Sequence, residues 1–292
     1  MINTQYGESF ITHANTIMIN IQDEYRGLLS GILYGGKPKK DRTGTGTRSV
    51  FGRIIRHNMS AGFPLLTTKR IYFNHAITEL FWMLQGRTDL HYLHTNGVRY
   101  WDNNYEKSGR KDGTLGPVYG HQWRSFNGVD QITRLIRDIR ECPHSRRLMV
   151  SCWNPPDLPN MVLPPCHYNF QIYINNGKLD LMWQQRSVDV FLGLPYDIAL
   201  YALLLQLLCK NTDYVAGELI GSFGDCHLYN NHIDQSKEQL SRNFRKLPNV
   251  IINNGIRIYK RKGRQELELP NHKDIKLEGY SPHPPIKAEL SI

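Results

Sequence analysis

The stretch Cys166-His-Tyr-Asn-Phe-Gln-Ile-Tyr-Ile-Asn-Asn-Gly-Lys-Leu-Asp-Leu-Met-Trp-Gln-Gln-Arg186 decides how this chain is read. Two strand-like runs, His167 to Asn175 and Lys178 to Arg186, flank Asn175-Asn176-Gly177. An Asn-Gly pair accepts the positive φ angles of a tight two-residue hairpin, so the runs pair antiparallel. That pairing places Arg186 close to Cys166. Pro164-Pro165 hold the backbone before the cysteine extended. A thiol with an unperturbed pKa of about 8.5 needs positive neighbours to become thiolate at neutral pH. Cys166 is therefore a candidate nucleophile, beside the plainer reading of a small core residue in a strand.

Outward from the hairpin, strands and helices mix without a regular βαβ rhythm. Arg147 to Trp153 reads as another strand, and Asp130 to Cys142 as an amphipathic helix closed by Pro143. Ile71 to Gln85 has apolar residues at helical spacing (Ile77, Leu80, Phe81, Leu84) and ends at Gly86, a favourable C-cap. Ser49 to Asn58 alternates as a strand, and Asn15 to Leu33 reads as an amphipathic helix. Tyr34 to Thr47, dense in Gly, Lys and Thr, reads as a loop, and Tyr100 to Trp123 as irregular. Pro195 to Asn211 is apolar nearly all round and is expected as a buried helix. Glu218 to Gly224 reads as a strand and His232 to Arg242 as a polar surface helix. The tail from Leu247 reads as short strands and a basic loop, Arg257 to Arg264. The fold class is α+β, with one domain over residues 1–292 and residues 1–29 an N-terminal extension or helix.

The 292 residues, 40% hydrophobic and 21% charged, suffice for a sizeable core and exclude wholesale disorder. The longest apolar stretch, Ile198 to Cys209, falls short of the ~20 residues that cross a bilayer. Met1 to Phe10 is polar, so no secretory signal is expected. Five cysteines (Cys142, Cys152, Cys166, Cys209, Cys226), with no C-x-x-C pair, make a disulfide framework or zinc site improbable and favour a reducing cytoplasm. The net charge of +10 fits solubility or an anionic partner equally well.

Arg42 lies in a Gly/Thr loop, Arg146-Arg147 is a doublet, and Arg186 precedes Ser187. Fork-shaped guanidinium donors at loop–strand junctions suit a phosphate dianion, or are plain surface charge. Glu79, among Leu80, Phe81 and Trp82, is a proton-transfer carboxylate with raised pKa, a salt-bridged carboxylate, or an exposed helix residue. Asp197 stands at the start of the buried helix, where Asp is a favoured N-cap. His227 and Tyr229, two apart, share a strand face. His227 and His232, five apart, suit a metal on neither helix nor strand, and no metal is expected.

Taken together, the ordered segments resemble thymidylate synthase from about Ser30 to Ile292. They include Asp41-Arg-Thr-Gly-Thr-Gly-Thr47, Phe63-Pro-Leu-Leu-Thr-Thr-Lys-Arg70, Glu79-Leu-Phe-Trp-Met-Leu-Gln-Gly86, Leu115-Gly-Pro-Val-Tyr-Gly-His-Gln-Trp-Arg124, Ser145-Arg-Arg147, Leu163-Pro-Pro-Cys-His167, Gln184-Gln-Arg-Ser-Val-Asp189, Leu192-Gly-Leu-Pro195, Gly224-Asp-Cys-His-Leu-Tyr229 and Ile286-Lys-Ala-Glu-Leu-Ser-Ile292. The resemblance implies an obligate homodimer with large mixed sheets packed back to back and helices on the other face. It implies that Cys166 attacks C6 of a pyrimidine nucleotide, so that C5 takes the methylene carbon of 5,10-methylenetetrahydrofolate. Arg42, Arg186 and Ser187 would hold the 5′-phosphate, with Arg146 and Arg147 reaching in from the partner subunit. His227 and Tyr229 would bind the 3′-hydroxyl, and Gln185 belongs to the same nucleotide site. Glu79 would relay protons through water, Tyr119 would assist removal of the C5 proton, and His167 joins the catalytic group. Trp101, Asp189, Gly193 and Leu163 would line the folate pocket, and Ile292 would close over it.

One departure decides the substrate. Thymidylate synthases carry a base-reading Asn in a P-F-N-I motif; this chain has Pro195-Tyr196-Asp197-Ile198. An amide matches O4 and N3–H of uracil, whereas a carboxyl sharing a proton matches N3 and the N4 amino group of cytosine. Asp here resembles the phage-type deoxycytidylate hydroxymethylases, which implies dCMP as substrate. Asn104 and Tyr196 stand where synthases usually carry Trp and Phe. A wetter wall there favours hydroxymethylation, while Trp101 and the synthase-like C-terminus favour dCMP methylation. Other readings are a thymidylate synthase with a tolerated substitution, a ribonucleotide CMP hydroxymethylase, and a nucleic-acid-binding protein using the Arg257-to-Arg264 loop. A viral source would put the enzyme in the host cytoplasm and its product in modified viral DNA.

Overall fold

In a computed structural model, the described residues are 20–261 and 264–291. Helix α1 (Ile21–Gly35) starts at Asn20, whose side chain accepts the Gln22 N–H, and it buries Tyr25, Leu28, Leu29 and Ile32. Strand β1 (Lys37–Lys39) and the long β2 (Thr47–Asn58) follow. Five helices come next: α2 (Phe73–Leu84), α3 (Leu90–Thr95), α4 (Asp102–Ser108), α5 (Gly120–Ser125) and α6 (Gln131–Glu141). Then come β3 (Met149–Ser151), β4 (His167–Asn175), β5 (Lys178–Asp189), α7 (Leu194–Thr212), β6 (Val215–Tyr229) and α8 (Ile233–Ser241). The tail forms β7 (Asn249–Ile252), β8 (Arg257–Arg261), β9 (Arg264–Glu268) and β10 (Ile275–Glu278).

The principal sheet has the order β1-β2-β6-β5-β4-β3. Its pairs are antiparallel except β5 with β6, which run parallel and are joined through α7. A parallel neighbour needs a crossover, and the 19-residue apolar helix supplies it. This explains why α7 is buried all round: it packs on β5, β6 and α2. Beneath it the sheet presents Phe170, Leu181, Trp183 and Phe223, each buried. Gly221 allows that packing, since a Cβ there would meet the Phe223 ring at 2.4 Å and the Trp183 ring at 2.8 Å. The register puts Ile54 of β2 and Tyr173 of β4 on the opposite face, where they are 60% and 61% exposed.

Several elements depart from the sequence reading, each for a local reason. The strand expected at Glu218 to Gly224 extends to Tyr229, because β2 and β5 both hold it along its length. Only Met149 to Ser151 of the run Arg147 to Trp153 pairs. The expected loop Tyr34 to Thr47 contains β1, and the irregular Tyr100 to Trp123 contains α4 and α5. The basic loop is an antiparallel hairpin, β8 with β9, whose residues 262–263 lie outside the described residues. The first turns expected for the leading helix, Asn15 to Ile19, lie outside them too.

Candidate active site

Cys166 closes the loop that enters β4, and its carbonyl accepts the backbone N–H of Arg186 at 2.9 Å, as the hairpin requires. The Arg186 guanidinium is pinned by the carbonyls of Pro165 and Pro164, both at 2.9 Å, and lies 5.5 Å from the Trp153 ring. Burial pushes the Cys166 thiol up, with Arg186 and Arg42 pulling it down and Asp197 and Asp189 pushing with burial. The expected positive neighbours are thus in place, but burial outweighs them. The Cys166 N–H donates to the Tyr119 hydroxyl at 2.9 Å. Tyr119 holds φ at 25°, a strained backbone for a bulky residue, immediately before α5.

Asp197 does not cap α7. The N-cap is Gly193, whose carbonyl accepts the Asp197 N–H at 3.1 Å, so the carboxylate is free to face the sheet. There its Oδ2 accepts the Gln185 side-chain amide at 2.9 Å, and its Oδ1 lies 4.0 Å from Nε2 of His167. Burial first, then the nearby carboxylates of Glu79 and Asp189, push the Asp197 carboxyl up to about 7, against the Gln185 bond. His167 is buried, stacked 4.4 Å from the Tyr119 ring, with Nδ1 on the Tyr201 hydroxyl at 2.8 Å. Burial drives its pKa down to about 3, so it is a neutral imidazole.

Glu79 comes inward from the middle of α2. It accepts the Tyr100 hydroxyl at 2.6 Å and the Trp101 indole N–H at 3.0 Å, and burial raises its pKa. The exposed-helix alternative is therefore excluded. Asp189 ends β5 and its Oδ1 accepts the N–H groups of Phe191 and Leu192, both at 3.1 Å. Gly193 sits against it: a Cβ there would meet the Asp189 carbonyl at 3.3 Å and Asp197 Oδ2 at 4.0 Å. Trp101 is buried, and Leu163 is half-buried against the core.

The parallel pairing of β5 with β6 sets Ser187 beside Asp225 and Asp189 beside His227. The His227 and Tyr229 rings meet edge to face at 5.2 Å, so the shared strand face holds. Arg42 is exposed on a turn that the Asp41 carboxylate ties to the N–H groups of Thr43 and Gly46, at 2.9 and 2.7 Å. Its charge reaches both Tyr229 and Cys166. Arg146 and Arg147 are not part of this cluster; they are exposed, before β3 at the edge of the sheet. Ile292 lies outside the described residues. The sequence reading missed Tyr100, the partner of Glu79, and Tyr201, the partner of His167. Tyr201 was available in principle, since it is one helical turn from Asp197 on α7.

The cluster is a thiol, a set of guanidinium groups, the buried carboxyl of Glu79 and the largely enclosed carboxyl of Asp197, the equipment for covalent attack on a ring of an anionic substrate. A family model described as thymidylate synthase matches residues 23–292, and the chain belongs to that family. Membership carries folate-dependent one-carbon transfer to C5 of a pyrimidine nucleotide, with methylenetetrahydrofolate as co-substrate. Among the described residues no group of three or more His, Cys, Asp or Glu could hold a metal ion. Nor is any helix among them long and apolar enough to cross a membrane.

Proposed function

We propose that the chain transfers the one-carbon unit to C5 of dCMP and releases 5-hydroxymethyl-dCMP. The observation that carries this reading is the carboxyl of Asp197, largely enclosed, turned off its own helix and held near half-protonation at neutral pH. Cytosine offers an amino donor at N4 and an acceptor at N3. One Asp197 oxygen accepts from N4–H2, and the proton is shared between the other oxygen and N3.

In this reading Cys166 Sγ adds to C6, and the electron pair delivered to C5 attacks the methylene carbon. Tyr119 assists loss of the C5 proton, and Glu79 relays protons through water from its seat between Tyr100 and Trp101. His167, neutral and fixed by Tyr201, positions Asp197. Arg42, Arg186 and Ser187 take the 5′-phosphate, Gln185 backs the base reader, and His227 and Tyr229 take the 3′-hydroxyl. Trp101, Asp189, Gly193 and Leu163 line the folate side, and Ile292 closes it. Loss of the C5 proton expels tetrahydrofolate, unoxidised, and leaves an exocyclic methylene. Water adds to that carbon, the electron pair returns through C5, and the C6–Sγ bond breaks to free Cys166 and the product. Two copies pack through the uncovered sheet face that carries Ile54 and Tyr173, and Arg146 and Arg147 complete the partner's phosphate site.

Methylation of dCMP is the second reading, favoured by buried Trp101 seated over Glu79, which helps exclude water. Incubation with equal dCMP and dUMP, read by mass spectrometry, tests both steps. The expected result is consumption of dCMP with a gain of one CH2O. A gain of one CH2 with dihydrofolate formed overturns the hydration step. Preferential consumption of dUMP overturns the substrate.

A further inference from the structure

We propose that Gln185, locked by Trp183, sets the donor–acceptor order that Asp197 shows to the base, and is thereby a specificity-determining residue. The inference deepens the proposed base reading and rests on Asp197 being the base reader.

A neutral carboxyl is ambiguous. It has one O–H donor and one acceptor oxygen, and nothing in the group itself decides which oxygen holds the proton. Cytosine and uracil present opposite patterns at N3 and position 4. An Asp197 free to carry its proton on either oxygen would therefore pair with both bases. Discrimination needs something that fixes the proton to one side.

The hydrogen-bond chain supplies it. The Trp183 indole N–H donates to Gln185 Oε1 at 3.2 Å. An indole nitrogen only donates, so this bond settles the amide orientation and leaves Nε2 on the far side. The two amide hydrogens there are both used, on the Ser187 carbonyl at 3.1 Å and on Asp197 Oδ2 at 2.9 Å. A flipped amide would set Oε1 against two acceptors and face its N–H2 with the indole N–H. Trp183 and Gln185 are both buried, so water cannot substitute for the lost bonds. Oδ2 is thus engaged as an acceptor, and because a carboxyl's carbonyl oxygen accepts better than its hydroxyl oxygen, the proton is favoured on Oδ1, on the side of His167. The pattern offered to the base then has one sense, which matches one pyrimidine at two positions and mismatches the other at both.

The test is the ratio of kcat/KM for dCMP and dUMP in Gln185→Leu and, separately, in Trp183→Phe, which leaves Gln185 in place but frees its amide to turn. Both variants are expected to bring the two values closer by about tenfold or more, with kcat on the better base falling less than the ratio does. Folding is checked by the circular dichroism spectrum and melting temperature of each, and either folded variant suffices. A ratio unchanged in a folded variant overturns the proposal. Wild-type preference for dUMP sinks the dCMP reading by itself. The lock survives that result if the variants still relax the preference, whichever base is favoured.

Discussion

The backbone N–H of Cys166 donates to the phenol oxygen of Tyr119 at 2.9 Å, and the same tyrosine holds φ at 25°. The thiol is thus positioned by a strained residue from another part of the chain, stacked in turn on His167. Strain of this kind persists only where surrounding contacts outweigh it, here the buried ring and the hydroxyl bond.

Removing the hydroxyl should therefore loosen the segment that carries the Cys166 thiol. In Tyr119→Phe the Cys166 N–H loses its acceptor in a half-buried site, a cost of about 1–3 kcal/mol. The expected outcome is a lower urea midpoint and a kcat reduced about tenfold or more, with the KM for nucleotide changed far less. Equal loss in kcat and binding would show that the hydroxyl serves the substrate and not the thiol.

Asp197→Asn replaces an ambiguous acid by an amide with a permanent donor and acceptor. A bidentate base contact discriminates by about 1–3 kcal/mol, roughly 5- to 150-fold. The variant should lose that factor on dCMP and gain activity on dUMP. Competition between the two nucleotides measures the shift, and an unaltered preference removes Asp197 from base reading.

The same substitution has a signature without any substrate. Burial raises the Asp197 pKa from 3.8 to about 7, so the folded chain holds the proton that the unfolded chain releases. Its contribution to stability is fully present below pH 3.8 and is lost as the pH rises to about 7. Asp197→Asn, which never ionises, should therefore melt higher than wild type by a margin that grows from pH 5 to pH 7 and then levels off. Parallel melting curves across that range would place the carboxyl in a wetter setting than the fold gives it.

The hairpin around Gly177, the buried α7 and the approach of Arg186 to Cys166 were legible because each rests on local chemistry: turn residues, all-round apolarity and fixed antiparallel register. The parallel junction of β5 with β6 was not, since it depends on where α7 returns the chain. The state of the thiol was also hidden. Positive neighbours can be read from spacing, but the burial that overrides them is made by the tertiary fold, which brings Tyr119, 47 residues earlier in the chain, against Cys166. Asp197 looked like a cap from its place near a helix start, and only the position of Gly193 shows that another residue does that work. Glu79 was ambiguous for the same reason, until its partners Tyr100 and Trp101 were brought in from beyond α3.

Acid should act on the fold through His167. Its pKa is driven down to about 3 by burial, so the folded chain refuses a proton that the unfolded imidazole takes up near 6.5. Stability from keeping it neutral is complete above pH 6.5 and is lost as the pH falls toward 3. His167→Gln keeps a polar partner for Tyr201 and cannot ionise. It should show a shallower loss of melting temperature between pH 6.5 and pH 4 than wild type, even if it is less stable at pH 7.

Arg147 gives the test of assembly. The Ile172 N–H donates to the Leu148 carbonyl, which puts Arg147 level with Tyr173, seven residues along β4 from Cys166. At a rise of about 3.3 Å per residue this is roughly 23 Å, far beyond the length of one arginine side chain. If the arginine serves catalysis, it serves a site on another copy. Arg147→Glu and Cys166→Ser should each be inactive alone, the first for want of a phosphate ligand and the second for want of a thiol. If two copies pair as proposed, mixing under conditions that let subunits exchange makes half the dimers heterodimers, each with one site that has an intact thiol and an intact arginine donated across the two-fold axis. About a quarter of wild-type activity should return. A mixture that stays inactive after exchange is verified by mass would confine Arg147 to its own subunit and to a role outside the active site.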